Sequence, residues 1–136
     1  MRTIVHISDL HFGRVDPAIP PVLARTIRAA GPDVVVVSGD LTQRARTSQF
    51  AEARRFLDTL PKPQIVVPGN HDVPLYNVIA RWLWPLAEYT RFFGENFEPF
   101  FADAEVAVVG INTARSLTFK NGRINRAQLT RSCARF

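Results

Sequence analysis

Val34-Val35-Val36-Val37 constrains this chain more than any other stretch. Four consecutive β-branched residues leave no polar face, so a strand made of them must be covered on both sides, as inner strands of parallel sheets are. Two other apolar runs behave alike: residues 3–7, around Ile4, Val5 and Ile7, and residues 65–67. Between the three lie segments with helical spacing. Asp16 can cap the first, which starts through prolines 17, 20 and 21, presents Leu23, Ile27 and Ala30, and stops at Gly31-Pro32. The second starts with Thr47 or Ser48 as cap, carries Phe50, Ala53, Leu57 and Leu60, and stops at Pro61 and Pro63. Strand, helix, strand, helix, strand with right-handed crossovers predicts a parallel sheet, hence an α/β protein, one domain over residues 1–136.

Each apolar run ends in polar residues. "IVHISDLH" delivers Asp9 and His11, "VVVVSGDL" delivers Asp40, and "IVVPGNHD" delivers Asn70, His71 and Asp72. Parallel strands place the loops that follow them on one edge of the sheet, where open α/β sheets build their sites. Asp9, His11, Asp40, Asn70 and His71 are therefore expected to converge. Asp9 and His11, two apart, would point to one side of an extended strand end. Taken singly, Asp and Asn end strands and Gly39 and Gly69 make turns; three coincident tips are much harder to explain that way. His6 is expected to be a satisfied core histidine and Asp72 a helix cap. Arg14 and Arg44 border the site and can hold phosphate oxygens, although a solvated role suits both equally well.

Carboxylates, an imidazole and an amide carbonyl form a ligand set for borderline divalent metals such as manganese, iron or zinc. A carboxylate can bridge two ions, which suits Asp40. Two ions roughly 3.5–4 Å apart can present a hydroxide for in-line attack on phosphorus.

These motifs, "DLHFG", "SGDL" and "PGNHD", resemble the first three motifs of the calcineurin-like metallophosphoesterases, in the flavour of the bacterial branch that includes cyclic-nucleotide phosphodiesterases. The resemblance implies a four-layer αββα sandwich around two divalent ions. It implies Asp9 and His11 on the first metal, Asp40 bridging, Asn70 on the second, and His71 touching the substrate as proton donor or charge stabiliser. The implied activity is hydrolysis of a phosphomonoester or phosphodiester, with a small phosphoester, a cyclic nucleotide among the candidates, as substrate. The family's later motifs supply further histidines, one alone and two in a G-H-x-H segment. This chain has only His6, His11 and His71, so it resembles the N-terminal part of the family, and a catalytically incomplete fragment or pseudo-enzyme is the alternative. Gln43 stands where the phosphoprotein-phosphatase branch has an aspartate supporting the active histidine.

Charge and composition exclude other classes. Residues 1–105 carry all 12 acids and 11 of the 17 bases; residues 106–136 carry six bases and no acid. The bases are spread out and without a recognition helix, so specific nucleic-acid binding is not expected, and a segment facing acidic surface is preferred. A single cysteine and the lack of a membrane-spanning run or signal peptide predict a cytoplasmic protein without membrane association. Residues 74–101 hold nine of the 14 aromatics, with core packing preferred over a lid or a dimer surface. Pro85 should break any helix there. Residues 105–111 read as a fourth strand, Asn121-Gly122 as a tight turn, and Asn125 with Gln128 as the cap of a last helix. Leu129, Cys133 and Phe136 share one face of that helix, which predicts a buried Cys133 and a helix that runs on to the end of the chain.

Overall fold

The computed structural model describes residues 1–74, 83–114 and 122–136. The three apolar runs form strands β1 (Ile4–Ser8), β2 (Val34–Ser38) and β3 (Gln64–Val67), all parallel, with β2 in the middle. His6 pairs with Val36 and Val37 with Val66, so the strands run in near register and end together. Helices α1 (Ile19–Ala30) and α2 (Thr47–Asp58) are the two crossovers.

The chemistry of the crossovers is mostly as read. Gly31 ends α1 in the left-handed region at φ 57°, where a side chain would be strained. Asp16 acts one turn before the helix, its carboxylate accepting from the Ala18 amide at 2.9 Å, while the prolines occupy the first helical positions. On α1 the buried residues are Ala24 and Ile27, and Ala30 is exposed, so the stripe is rotated from the expected one. On α2, Phe50, Ala53 and Leu57 are buried as expected, and so is Leu60 just beyond it; Arg46 is the N-cap, without a side-chain bond.

One face of the sheet, carrying Val35 and Val37, packs against Ala24, Ile27, Phe50, Ala53 and Leu57. The aromatic segment joins this core where it is described. Helix α3 (Ala87–Phe93) lays Tyr89, Phe92 and Phe93 around Phe50, with Phe50 and Phe92 stacked at 6.1 Å, and the Tyr89 hydroxyl donates to the Val66 carbonyl. Burial pushes the Tyr89 phenol well above its ordinary range. Trp84 is exposed, and Tyr76 and Trp82 lie outside the described residues. No described helix continues through Pro85.

The fourth strand exists, as β5 (Ala107–Val109), but it pairs antiparallel with β4 (Phe100–Ala102), a strand the sequence reading did not anticipate. Its short alternation was hidden in the aromatic segment. This hairpin covers the other sheet face near β3: a Cβ on Gly110 would stand 2.6 Å from Val67 Cγ1. Helix, parallel sheet, second sheet and helix are thus present, a mixed α/β arrangement that has, in part, the layers the resemblance implies. His6 is a correction. It lies on the exposed face of β1, satisfied by a 2.6 Å hydrogen bond with the Ser38 hydroxyl rather than by a core.

Helix α4 (Arg126–Cys133) has the expected Asn125–Gln128 capping box, with bonds of 2.8 and 3.0 Å. Its buried side, however, is polar. Gln128 and Ser132 face inward, and Cys133, Leu129 and Phe136 are exposed. The helix docks by polar contacts instead of an apolar stripe: Gln128 Nε2 donates to the Asn112 carbonyl, and Arg131 forks onto Glu98 at 2.6 and 3.2 Å. It also ends before the terminus, with Ala134 as C-cap. Part of the basic segment therefore meets acidic surface of its own chain. The expected turn at Asn121-Gly122 lies partly outside the described residues. Among the described residues no helix is long and apolar enough to cross a membrane.

The hairpin is pinned to the N-terminus by Arg2, which pairs with Asp33 at 2.9 Å and Asp103 at 2.8 Å. Asp33 is held below its ordinary range by the Thr3 amide and then by Arg2, Asp103 by the Glu105 and Val106 amides and then by Arg2, and Glu98 by the hydrogen bond from Arg131. Lowered carboxylates stabilise the fold above their unfolded-state values, and that contribution is lost as pH falls through the folded-state ones. Protection of the β4 and β5 amides relative to their intrinsic exchange rates is accordingly expected to fall on acidification before that of β2, and the effect should shrink with added salt. Simultaneous loosening of β2 and the hairpin at every salt concentration would show that these pairs do not dock the hairpin.

Candidate metal centre

The strands stop at Ser8, Ser38 and Val67, and their tips are stitched together beyond the last ladder bonds. The amides of His11 and Phe12 donate to the carbonyls of Asp40 and Leu41, both at 2.9 Å, and Gly39 N donates to Val67 O at 3.0 Å. Gly69 lies directly on the β2 tip. A Cβ there would overlap the amide nitrogen and Oδ1 of Asp40 and stand 2.9 Å from Gly39 Cα. Only glycine permits that approach.

Asp72 secures the same junction. Its carboxylate is buried and accepts from the amides of Gly69 (2.9 Å), Leu41 (3.1 Å) and Thr42 (2.8 Å), and from the Thr42 hydroxyl (3.0 Å). It is the last residue of the 3₁₀ turn Asn70–Asp72, whose N-cap is Gly69, instead of the cap of a helix beyond it, and it ties that turn to the loop after β2, which was not foreseen. Burial pushes its carboxyl above the ordinary range, and the four donors work against that push.

The stitching brings Asp9, His11 and Asp40 together, with one donor atom from each lying within 4.8 Å of the others. Asp9 and His11 do not arrive in extended conformation. Both, like Asp40, are left-handed, with φ of 55°, 46° and 51°. Non-glycine residues held this way cost roughly 1–3 kcal/mol each and collect at functional sites. His71 joins the group. Its amide donates to Asp40 Oδ1 at 2.9 Å, and its ring meets the His11 ring edge-on at 4.9 Å between centroids. Asn70 opens the 3₁₀ turn between Gly69, which rests on Asp40, and His71. All five expected residues thus follow strand tips on one edge of the sheet, and Asp9, His11 and His71 line a cleft of about 410 Å³ together with Arg14 and Gln43, while Asp40 and Asn70 are not part of its lining.

Protonation follows from the partners. His71 Nδ1 stands 3.0 Å from the Gln43 carbonyl, which only accepts, so Nδ1 carries the proton and Nε2 is left for other work. Gln43 thereby supports the histidine through its backbone, a role no side-chain motif could reveal. In His11, Nδ1 is buried with no hydrogen-bond partner, and Nε2 is 3.8 Å from Asp9 Oδ1, beyond hydrogen-bond length. An imidazole with neither nitrogen engaged, two carboxylates beside it and no basic side chain among the three fit a divalent cation.

A left-handed, carboxylate- and imidazole-bearing rim at the C-terminal edge of a parallel sheet is a candidate site for a divalent metal on an α/β frame. Comparison with known proteins narrows the class. The family model for calcineurin-like phosphoesterases matches residues 2–132, and the chain belongs to that family. It is 46% identical over 80 residues to a glycerophosphodiester phosphodiesterase of Enterobacter lignolyticus, a match covering 51% of this chain and 29% of that protein. It is 34% identical over 76 residues to a UDP-2,3-diacylglucosamine pyrophosphatase of Chlamydia muridarum (54% and 23% covered). It is also 34% identical over 82 residues to a probable cyclic nucleotide phosphodiesterase of a Synechococcus strain (53% and 32%). The matched stretches span a quarter to a third of these relatives' lengths.

Gly69→Ala tests the packing of the tips. The added methyl meets backbone, which cannot rotate away, so a loss of about 1–3 kcal/mol in urea unfolding is expected, with weakened manganese binding. Wild-type stability together with wild-type affinity would mean that the β2 and β3 tips are not in contact.

Proposed function

We propose that this chain contributes the catalytic cleft of a metal-dependent phosphoesterase acting on a small phosphodiester or phosphomonoester, with cyclic nucleotides among the candidates. The observation that carries the reading is the meeting of Asp9, His11 and Asp40 around an imidazole that has no hydrogen bond. Asp9 and His11 would hold one divalent ion of manganese, iron or zinc type, Asn70 a second, and Asp40 both. Bound there, the ions would acidify a water to serve as nucleophile and neutralise the phosphoryl oxygens. Asp40 already spends Oδ1 on the His71 amide and keeps Oδ2 for a cation. His71, steadied through Nδ1 by the Gln43 carbonyl, presents Nε2 to the leaving oxygen. In its protonated form Nε2 donates to that oxygen, and the Gln43 carbonyl stabilises the cationic ring from the far side.

A second reading is a catalytically incomplete product. The chain has three histidines, and His6 is engaged with Ser38, so two imidazoles are left for the centre. Metal titration separates the readings. Asp40→Asn is expected to weaken manganese binding in calorimetry at least tenfold and Asn70→Ala only severalfold, because a bridging carboxylate serves two ions and an amide one. Equal losses would remove the bridging role. Turnover is the complementary assay. With excess manganese, release of nitrophenol from bis-(p-nitrophenyl) phosphate should fall about 10²–10⁴-fold in His71→Ala. Weak metal binding with no His71-dependent turnover would favour the incomplete product.

A further inference from the structure

A second cavity of about 280 Å³ adjoins the metal cleft, lined by Gly13, Arg14, Gln43, Arg44, Arg46 and Gln49. Arg14 and Gln43 line both spaces, so the two are neighbours. No acidic residue borders the second one. Neither Arg14 nor Arg46 pairs with a carboxylate among the described residues. The guanidinium groups of Arg14 and Arg46 on one small cavity give it a positive potential that favours an anion.

The wall is built from within. Gln49 is only 8% exposed. Its Oε1 accepts from the Arg44 amide at 2.9 Å, which shapes the loop, and its Nε2 has no acceptor among the described residues although it borders the cavity. Gly13, at φ 96°, leaves room for that amide, since a Cβ there would overlap it. That amide is a donor open to an incoming oxygen. Arg46 and Gln49 also flank the first turn of α2, which has no acidic residue and no side-chain cap, so its amides and the helix dipole add to the attraction for an anion.

We propose that this cavity is a second anion subsite, shaped for a phosphate-type group, which selects phosphoesters whose far arm carries another phosphate. The subsite stands on its own geometry, and its role in substrate selection rests on the phosphoesterase reading. Arg14 is the shared wall, facing the scissile group on one side and the second anion on the other. Gln43 holds His71 by its carbonyl and also lines the subsite, so the two ends of such a substrate are measured against one residue.

The subsite itself is tested in the presence of a chelator, where no metal contributes. Inorganic phosphate titrated into the protein and followed by ³¹P NMR should bind saturably. Arg46→Ala and Arg14→Ala should each weaken it at least tenfold, and Arg126→Ala, on the exposed side of α4, should leave it unchanged. Arg46 and Arg14 are exposed, so folding is not at risk. Absence of saturable binding, or equal effects of Arg46 and Arg126, would overturn the subsite. Selection is tested with manganese present, using methylphosphonate esters whose arms of about two to six carbons end in phosphate or hydroxyl. The best phosphate-ended ester should bind at least tenfold tighter than its hydroxyl partner, and Arg46→Ala should abolish the difference. A difference that survives Arg46→Ala would overturn the assignment. Phosphate binding without manganese binding would leave the subsite standing and remove the phosphoesterase reading; manganese binding without phosphate binding would do the reverse.

Discussion

The contact of Gly69 with Asp40 is the constraint on which the rest of the site depends. Two strand tips approach so closely that a methyl group would not fit between them. The approach is possible because the strands are parallel, in register and of similar length, so their ends arrive side by side. It is held by Asp72, whose buried carboxylate gathers amides from both tips. A carboxylate without a cationic partner is an expensive group to bury, and here its cost is offset by four donors that would otherwise be unsatisfied themselves.

Placement of the candidate ligands follows from that junction. Asp40 is drawn against the β3 tip and spends one oxygen on the His71 amide. The loop after β1 then runs along the loop after β2, as the Phe12–Thr42 bridge shows, and must turn sharply to do so. The turns fall on Asp9, His11 and Asp40, all left-handed without being glycine. Ala45, the remaining non-glycine residue of this kind among those described, lies between Arg44 and Arg46 in the loop beside the anion subsite. Conformational strain thus concentrates where the polar chemistry is, and the apolar framework beneath absorbs it.

The framework shows how unequal the two sheet faces are. Under β2, the helices supply a dense core around Phe50, to which Tyr89 and its aromatic neighbours contribute. On the other face a short hairpin does the covering near β3, the last helix docks on Glu98 and Asn112, and β1 keeps Ile4, His6 and Ser8 exposed. The basic residues near the C-terminus take part in this arrangement, with Arg131 and Arg135 both bonded to Glu98. Arg131 meets the Glu98 carboxylate and Arg135 its backbone carbonyl.

Sequence alone determined the parallel order of strands and helices, the apolar side of α2 and the convergence of Asp9, His11, Asp40, Asn70 and His71. These depend on local periodicity and on the rule that parallel strands point one way, both of which are written into short stretches of residues. Tertiary structure decided the rest. The left-handed turns at Asp9 and His11, the carbonyl of Gln43 behind His71, the second duty of Asp72 and the polar inner side of α4 all arise from residues about 16 to 31 positions apart meeting in space. Backbone carbonyls and amides are the same in every residue, so which of them a side chain meets leaves no mark on the sequence. Pairing of β4 with β5 was likewise hidden, because a three-residue strand has too little alternation to stand out, and only its partner makes it one.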